Sequence, residues 1–378
     1  MNPIYLDYNA TTPVAPEVAE AMALFLGDGF GNPSSAHVYG RIARDAVVQA
    51  RKRVASLVGA STDEIVFTGC ATEANNLAVL GVARALRSRG RHLVISSVEH
   101  PAVAAPAKHL EELGWEVTVL AVDESGRVQV DELERALRPD TVLVSVMHAN
   151  NEVGTVQPIC EIAELTRPRG ILLHTDAAQS AGKIPVDVNV LGVDLLTLAG
   201  HKFYAPKGIG ALYVRRGTPL QPVLFGAEQE HGLRPGTENV PAIVGFGAAA
   251  KLALECLPDT TSHLLEVRDV LHSQLLAKVP GLQLNGHPQQ RLPNTLHVSF
   301  PRVTGRDLLQ RVGERVAASV GSACHSELDA VSGVLAAMGL DARRAAGAVR
   351  LSVGRMTTRA QVEQAADALA AAWAGSAG

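Results

Sequence analysis

The run Leu195-Leu196-Thr197-Leu198-Ala199-Gly200-His201-Lys202 reads as a buried strand that stops at a glycine and then presents a histidine and a lysine. A lysine at the carboxyl end of a strand stands where α/β sheets bind ligands. Twenty-six residues before Lys202, Ile171-Leu172-Leu173-His174-Thr175-Asp176 is a second apolar run ending in a carboxylate, followed by Ala177, Ala178 and Gln179. A carboxylate so placed can pair with the protonated ring nitrogen that lets a pyridoxal cofactor act as an electron sink. Alone, Lys202 could be a solvated loop residue and Asp176 a helix cap; together they favour the cofactor. Its phosphate needs an anion site, and Thr68-Gly69-Cys70-Ala71-Thr72-Glu73, between a strand and an apolar helix, offers free backbone N–H groups and a hydroxyl.

Two other glycine-containing segments do not bind nucleotides by their pattern. Gly182-Lys183 is followed by Ile184 where a P-loop has Ser or Thr, and no glycine lies five positions earlier. Gly208-x-Gly210 lacks a third glycine and a strand-before-helix setting.

These groups need a framework. Short β-branched runs alternate with helical patterns from about residue 15 to 255, which predicts an α/β fold with a mostly parallel sheet. The strands are expected at Ile65–Thr68, His92–Ser96, Val117–Leu120, Val142–Met147, Ile171–Thr175, Leu195–Leu198 and Gly210–Val214. Val38, Ile42, Ala46, Ala50 and Val54 recur every four residues and predict a helix opened by Ser34 or Ser35, with that stripe on the sheet. After Leu257-Pro258-Asp259 the pattern changes to a helix over 262–278, strands near 282–285, 294–300 and 348–353, and two further helices, a smaller α+β domain. The expected organisation is an arm over 1–14, a large domain over 15–257 and a small domain over 258–378.

Composition narrows the function classes. The chain has 378 residues, of which 47% are hydrophobic, enough for a sizeable core. Its 34 Lys and Arg against 38 Asp and Glu leave a formal charge of -4 with no basic block, so neither nucleic acid nor a membrane is an expected partner. Met1 to Thr12 has no basic or apolar region of a secretory signal, and apolar stretches such as Ala242–Ala250 fall short of the ~20 residues of a spanning helix. Cys70, Cys160, Cys256 and Cys324 form no Cys-x-x-Cys pair, which fits a reducing, cytoplasmic location.

Five motifs carry a family resemblance: Tyr5-Leu6-Asp7-Tyr8-Asn9-Ala10-Thr11-Thr12-Pro13, Phe30-Gly31-Asn32-Pro33-Ser34-Ser35, His148-Ala149-Asn150-Asn151-Glu152-Val153-Gly154, Gly200-His201-Lys202 and Gly321-Ser322-Ala323-Cys324. In order and spacing, from about residue 4 to 360, the chain resembles the cysteine desulfurases of the class V aminotransferase family. The resemblance implies a homodimer of the fold-type I pyridoxal-phosphate architecture, a large domain with a seven-stranded sheet, and pyridoxal 5'-phosphate bound as a Schiff base to Lys202. It further implies that His100 stacks on the cofactor ring, Asp176 pairs the ring nitrogen, Gln179 bonds the ring oxygen, and Ala71, Thr72 and His201 hold the phosphate. Thr237, in Arg234-Pro235-Gly236-Thr237, would reach the phosphate of the neighbouring subunit. Asn151, also beside the cofactor, and Arg350 would bind the substrate carboxylate, with Arg355 a further candidate; a guanidinium suits that task because its planar fork meets a carboxylate with two bonds.

Cys324 selects the reaction within the family. Gly321-Ser322-Ala323-Cys324-His325-Ser326 supplies small and polar neighbours rather than a packing niche, and a thiolate there would attack the sulfur of L-cysteine and carry it as a persulfide, leaving L-alanine. The acceptor would be a carrier protein, such as an iron–sulfur scaffold or a thiolation carrier. No metal is expected in catalysis, although Cys324 is a candidate ligand for a transferred iron–sulfur cluster. Three positions depart from the family pattern: Ala199 replaces a phosphate-binding serine, Cys70 a glycine, and His325 a Thr or Ser. The C-terminal extension by which some relatives dock a scaffold is expected to be short or absent. Rival readings are a selenocysteine lyase or another class V transaminase, which would not need Cys324 for every substrate, and a non-catalytic sulfur-transfer scaffold.

Overall fold

The computed structural model describes residues 2–321 and 332–375. The strands, in chain order, are β1 (Ile4–Tyr5), β2 (Ile65–Thr68), β3 (His92–Ser96), β4 (Glu116–Leu120), β5 (Thr141–Ser145), β6 (Leu172–Asp176), β7 (Leu195–Ala199), β8 (Gly210–Val214), β9 (Gln283–Asn285), β10 (Thr295–Ser299), β11 (Val316–Ala317) and β12 (Ala348–Ser352). Seven of them form one sheet in the order β2-β8-β7-β6-β5-β3-β4. Only β8 runs antiparallel to its neighbours. The sheet is therefore the mostly parallel, seven-stranded α/β sheet expected from the alternation of apolar runs and helices. The runs that form β2, β3, β5 and β7 are buried at every position, as strands covered by helices on both faces must be.

Helix Val38–Leu57 packs on helix Val240–Glu255 so closely that a Cβ on Gly247 would lie 2.5 Å from the Ala50 Cα. Its buried face is Gly40, Ala43, Val47, Ala50 and Val54, and Val38 and Ile42 of the expected stripe are exposed. The reason is geometric. At 3.6 residues per turn, a spacing of four overshoots a full turn by about 40°, so a strict every-four stripe winds from solvent at residue 38 into the core by residue 50. The cap also differs: His37, rather than Ser34 or Ser35, accepts the Gly40 N–H through Nδ1 at 3.3 Å.

Beyond residue 257, β12, β10 and β9 make a three-stranded antiparallel sheet. The helix expected at 262–278 begins at Leu257, because Pro258 in its first turn is compatible with a helix start rather than a boundary. Four helices follow among the described residues, not two: Gly305–Val312, Gly333–Ala337, Ala342–Ala346 and Arg359–Ala374. The two five-residue helices are too short to leave a periodic signal in the sequence. Leu271, Leu275, Leu296, Val298, Leu351 and Leu369 belong to a hydrophobic core separate from that of the large sheet. No single described helix is long and apolar enough to cross a membrane.

The N-terminal segment ties these parts together. β1 pairs in parallel with β11, Leu6 is buried in the C-terminal core, and Ser352 N donates to the Leu6 carbonyl at 2.8 Å. A few residues on, Thr12 N donates to the His201 carbonyl at 2.9 Å, at the end of β7.

Candidate active site

The carboxyl ends of β3, β5, β6 and β7 open on one cavity of about 480 Å³. Its lining includes His100, Asn151, Asp176, Gln179, Lys202 and Arg350. Parallel strands bring this about by themselves, since each delivers the residues just past its end to the same edge of the sheet.

Lys202 lies in a one-turn helix, Gly200–Lys202, directly after β7. Its Nζ donates to the carbonyls of Asn9 at 2.7 Å and Ala10 at 2.9 Å. The chain then turns through Tyr204 in the left-handed region, φ 70, a conformation costing a non-glycine residue on the order of 1–3 kcal/mol. Bonds at both ends hold it there: Tyr204 N donates to Thr12 Oγ1 and its hydroxyl accepts the Arg355 N–H.

Asp176 closes β6 and is buried. Its Oδ1 accepts the Ala178 N–H at 2.9 Å, the helix-cap-like bond open to it from sequence, while Oδ2 accepts from Asn75 Nδ2 at 2.6 Å. His100 is the N-cap of helix Pro101–Glu112, with Nδ1 accepting the Ala102 N–H at 3.1 Å. That bond assigns the neutral ring's proton to Nε2. Burial lowers the His100 pKa from its ordinary value, opposed by the Asp176 carboxylate and assisted by Lys202.

Helix Ala71–Leu86 starts at Cys70 with no side chain capping its first N–H groups, and Ala71 and Thr72 line the cavity. β8 comes so near that a Cβ on Gly210 would sit 2.7 Å from the Cys70 carbonyl carbon and 2.9 Å from the Ala71 nitrogen. Cys70 has φ -173, an extended backbone open to any residue, so a side chain in place of the family's glycine introduces no strain there. His201 also lines the cavity, bonded through Nδ1 to Thr11 Oγ1 at 3.2 Å, and burial, with Lys202, Lys207 and Lys183, pushes its pKa down to about 4. Ala199, buried at the end of β7, contributes no hydroxyl.

The substrate side is built on a turn. Asn150 Oδ1 accepts the N–H groups of Glu152 and Val153, which presents Asn151 to the cavity. Arg350 arrives from β12, buried, with Nη1 on the Asn151 carbonyl at 3.0 Å and Nη2 on Asp7 Oδ1 at 2.8 Å. Each terminal nitrogen retains a second hydrogen, so a carboxylate can still be met.

Two expected residues stand apart. Arg355 is not in the cavity lining; it lies over the Tyr204 ring at 5.1 Å and reaches Glu17 Oε2 at 3.4 Å, and its side chain is occupied in joining the C-terminal sheet to the first helix. Thr237 is exposed and likewise outside this cavity. Cys324 and His325 lie outside the described residues. Conversely, Asn75 and Glu99 line the cavity and were not picked out from sequence. Asn75 follows Thr72 by three positions, the spacing that puts both on one helix face. Glu99 only adjoins His100; its Oε1 accepts from Ser96 Oγ at 2.6 Å and Met147 N at 2.8 Å, and burial pushes its carboxyl up to about 8.

The residues fit pyridoxal phosphate: an uncapped helix start for the anion, a buried carboxylate for the ring nitrogen, an amide for the ring oxygen and an amine for the aldehyde carbon. No cluster of His, Cys, Asp and Glu among the described residues could hold a metal.

Comparison with known proteins bears on the same point. The family model for Aminotransferase class-V matches residues 4–365. The cysteine desulfurase IscS of Dictyoglomus turgidum is 46% identical over 97% of this chain and 93% of its own length. That of Methanosarcina thermophila is 47% identical over 96% of this chain and 89% of its own. Among solved structures, a NifS-like protein superposes with a TM-score of 0.92 at 38% identity, covering 98% of this chain and 99% of that one. SspA in complex with cysteine superposes with a TM-score of 0.83 at 38% identity, covering 94% and 99%.

Proposed function

This chain belongs to the class-V aminotransferase family and is a pyridoxal-phosphate-dependent cysteine desulfurase, turning L-cysteine into L-alanine with transfer of its sulfur, and we propose that its chemistry is divided among side chains at four strand ends. The observation that carries this division is the convergence of Lys202, Asp176, His100 and Arg350 on one cavity beside an uncapped helix start.

When bound, pyridoxal phosphate supplies an electron sink for the pair released at the substrate Cα. Lys202 Nζ anchors it and, once exchanged for the substrate amine, takes the Cα proton. Asp176 would pair with the ring nitrogen, and Gln179 would bond the ring oxygen. Ala71 and Thr72, with His201, would receive the phosphate. His100, its neutral ring protonated on Nε2, would offer a hydrogen bond at the cavity it lines, and the proton given up by the Cys324 thiol would be the one that reaches the product carbon skeleton. Asn151 and Arg350 orient the substrate through its carboxylate. The Cys324 thiolate attacks the substrate sulfur, and the electron pair of the broken C–S bond passes to the carbon side, leaving the sulfur on Cys324 as a persulfide.

A second copy of this chain completes the enzyme in this reading. Exposed Phe30 and Tyr39 stack at 5.4 Å, and Leu26, Val38 and Ile42 nearby in the sequence are exposed too; large apolar side chains left exposed support a surface that a second copy covers. Thr237 would serve the neighbour's phosphate. The acceptor of the sulfur is a carrier protein with a thiol or a cluster to build.

The deciding experiment compares the wild-type protein with Cys324→Ala. The variant should bind cofactor and L-cysteine but release alanine from L-cysteine only at background, and the wild-type peptide containing Cys324 should gain the mass of one sulfur. Undiminished turnover, or no adduct, overturns the role of Cys324. L-selenocysteine turnover in the same variant reports whether the site needs the thiolate for every substrate.

A further inference from the structure

Gly182-Lys183 is no P-loop, and nothing in the catalytic steps uses it, yet Lys183 is among the most deeply buried charged residues of the described chain, 5% exposed. Beyond β6 the chain runs through successive turns, with Ser180 N and Ala181 N donating to the Ala177 carbonyl and Lys183 N to the Ser180 carbonyl. Gly182, at φ 73, supplies the left-handed step, and a Cβ on it would meet the Phe203 Cβ at 3.0 Å. This path returns Lys183 to the side of Gln179, four residues earlier. Lys183 Nζ donates to the Gln179 carbonyl at 2.9 Å and to Gln179 Oε1 at 3.0 Å. At the other end of the same amide, Gln179 Nε2 donates to the Asn9 carbonyl at 3.0 Å, the oxygen that also receives Lys202 Nζ.

Both neighbours demand one orientation of the amide. A backbone carbonyl can only accept, so Asn9 requires Nε2. As an ammonium Lys183 can only donate, so its side requires Oε1, a demand that the neutral amine, with its lone pair, relaxes. With one Nε2 hydrogen on Asn9, the other is available to the cavity that Gln179 lines. We propose that Lys183 is a positioning residue of the desulfurase site, locking the Gln179 amide so that the cofactor's ring oxygen meets an N–H donor and never the amide oxygen. The inference rests on the assignment of Gln179 to that ring oxygen. A flipped amide would set Oε1 against an oxygen that carries negative charge, with no buried water needed to explain the cost.

The environment of Lys183 agrees with a held donor rather than a solvated cation. Burial, then Lys202 and Arg350, push its pKa down to about 7. Lys202, Arg350 and His201 are the titratable groups whose charges couple to it. Neutralisation of Lys183 removes repulsion beside Lys202 without removing either hydrogen bond to Gln179.

The test uses the full-length holoenzyme with Lys183→Met, Gln179→Ala and the double variant. Two readouts are taken: the pH midpoint of the bound cofactor's visible absorbance, and the dissociation constant for pyridoxal phosphate after resolution to apoenzyme. Loss of one donor to a charged oxygen should raise the midpoint by about one unit and weaken binding about tenfold. Gln179→Ala should do so in full and Lys183→Met in the same direction but by less, because the Asn9 carbonyl still favours Nε2 on its side, and the double variant should match Gln179→Ala. No change in Gln179→Ala would remove the Gln179 assignment, and this inference with it. A shift in Gln179→Ala but none in Lys183→Met overturns the inference alone, as does an undiminished effect of Lys183→Met in the Gln179→Ala background, which would mean that Lys183 acts by its charge. If Lys183→Met does not accumulate as soluble protein, Lys183→Leu carries the same comparison, and Gln179→Glu, which keeps the partner of Lys183 but has no hydrogen for the ring oxygen, should reproduce the shift.

Discussion

Asn75 Nδ2 donates a 2.6 Å hydrogen bond to Asp176 Oδ2, joining the second turn of helix Ala71–Leu86 to the end of β6. In the proposed assignment the same helix would therefore offer its N-terminus to the phosphate and fix the carboxylate meant for the ring nitrogen. Hydrogen bonds to a buried charge contribute roughly 1.5–3 kcal/mol. Asn75→Ala should raise the dissociation constant for pyridoxal phosphate by roughly tenfold or more, measured by cofactor titration of apoenzyme. An unchanged constant would show that the Ala178 N–H alone holds Asp176.

Lys202→Ala should abolish the visible absorbance of covalently bound cofactor and alanine formation together, because one amine both anchors the cofactor and takes the proton. With no amine to bond its aldehyde carbon, pyridoxal phosphate that does bind should be removable by gel filtration. A variant that keeps the band would shift the anchoring role to another amine.

Glu99 gives a pH dependence of known sign. Burial lifts its carboxyl from 4.5 to about 8 in the folded chain, opposed by the bonds from Ser96 and Met147 and assisted by Asp176. The folded state thus binds this proton more tightly than the unfolded chain, so its contribution to stability is fully present below pH 4.5 and is lost as pH rises towards about 8. In Glu99→Gln that loss should vanish, leaving the variant more resistant to denaturant than the wild type at alkaline pH by on the order of a few kcal/mol. Denaturation midpoints across that range check this; parallel profiles would mean that the buried carboxyl ionises without cost.

Gly210→Ala should damage the phosphate end of the site from outside it. The added methyl would lie 2.7 Å from the Cys70 carbonyl carbon and 2.9 Å from the Ala71 nitrogen, both backbone atoms that cannot move away alone. Overpacking of this kind costs typically about 1–3 kcal/mol. The apoenzyme should melt lower, and affinity should fall more for pyridoxal phosphate than for pyridoxal, which has no phosphate to misplace. Equal losses for the two ligands would place the damage in the sheet rather than at the helix start.

The strand ends that carry Asp176 and Lys202 were legible in the sequence because strands buried on both faces are almost wholly apolar, and a polar residue at the end of such a run stands out. Helix Val38–Leu57 was legible as a helix but not in its orientation, since a four-residue stripe winds around the cylinder. Its cap at His37 escaped notice because an imidazole is not among the usual capping side chains. Asn75, Glu99 and Lys183 escaped for a different reason. Each acts through a partner distant in sequence, 101 residues for Asn75 and Asp176, or through a turn path that no local periodicity encodes. Arg355 shows the converse, an arginine of the right type near the right strand whose fork is already occupied by Tyr204 and Glu17.

The N-terminal segment has a consequence for the order in which this protein is made. Arg350 and its partner Asp7 are 343 residues apart. On the ribosome, Lys202, Asp176 and His100 emerge and can be sheeted together well before β12 exists, but Asp7 and Leu6 must wait for the strands on which they settle. Until then the Asn9 and Ala10 carbonyls that hold Lys202 are tied to the large sheet alone, through Thr12 and Gln179. Arg350 thus takes its place beside Asp7 only after β12 has been made, later than the strand ends that carry Asp176 and Lys202.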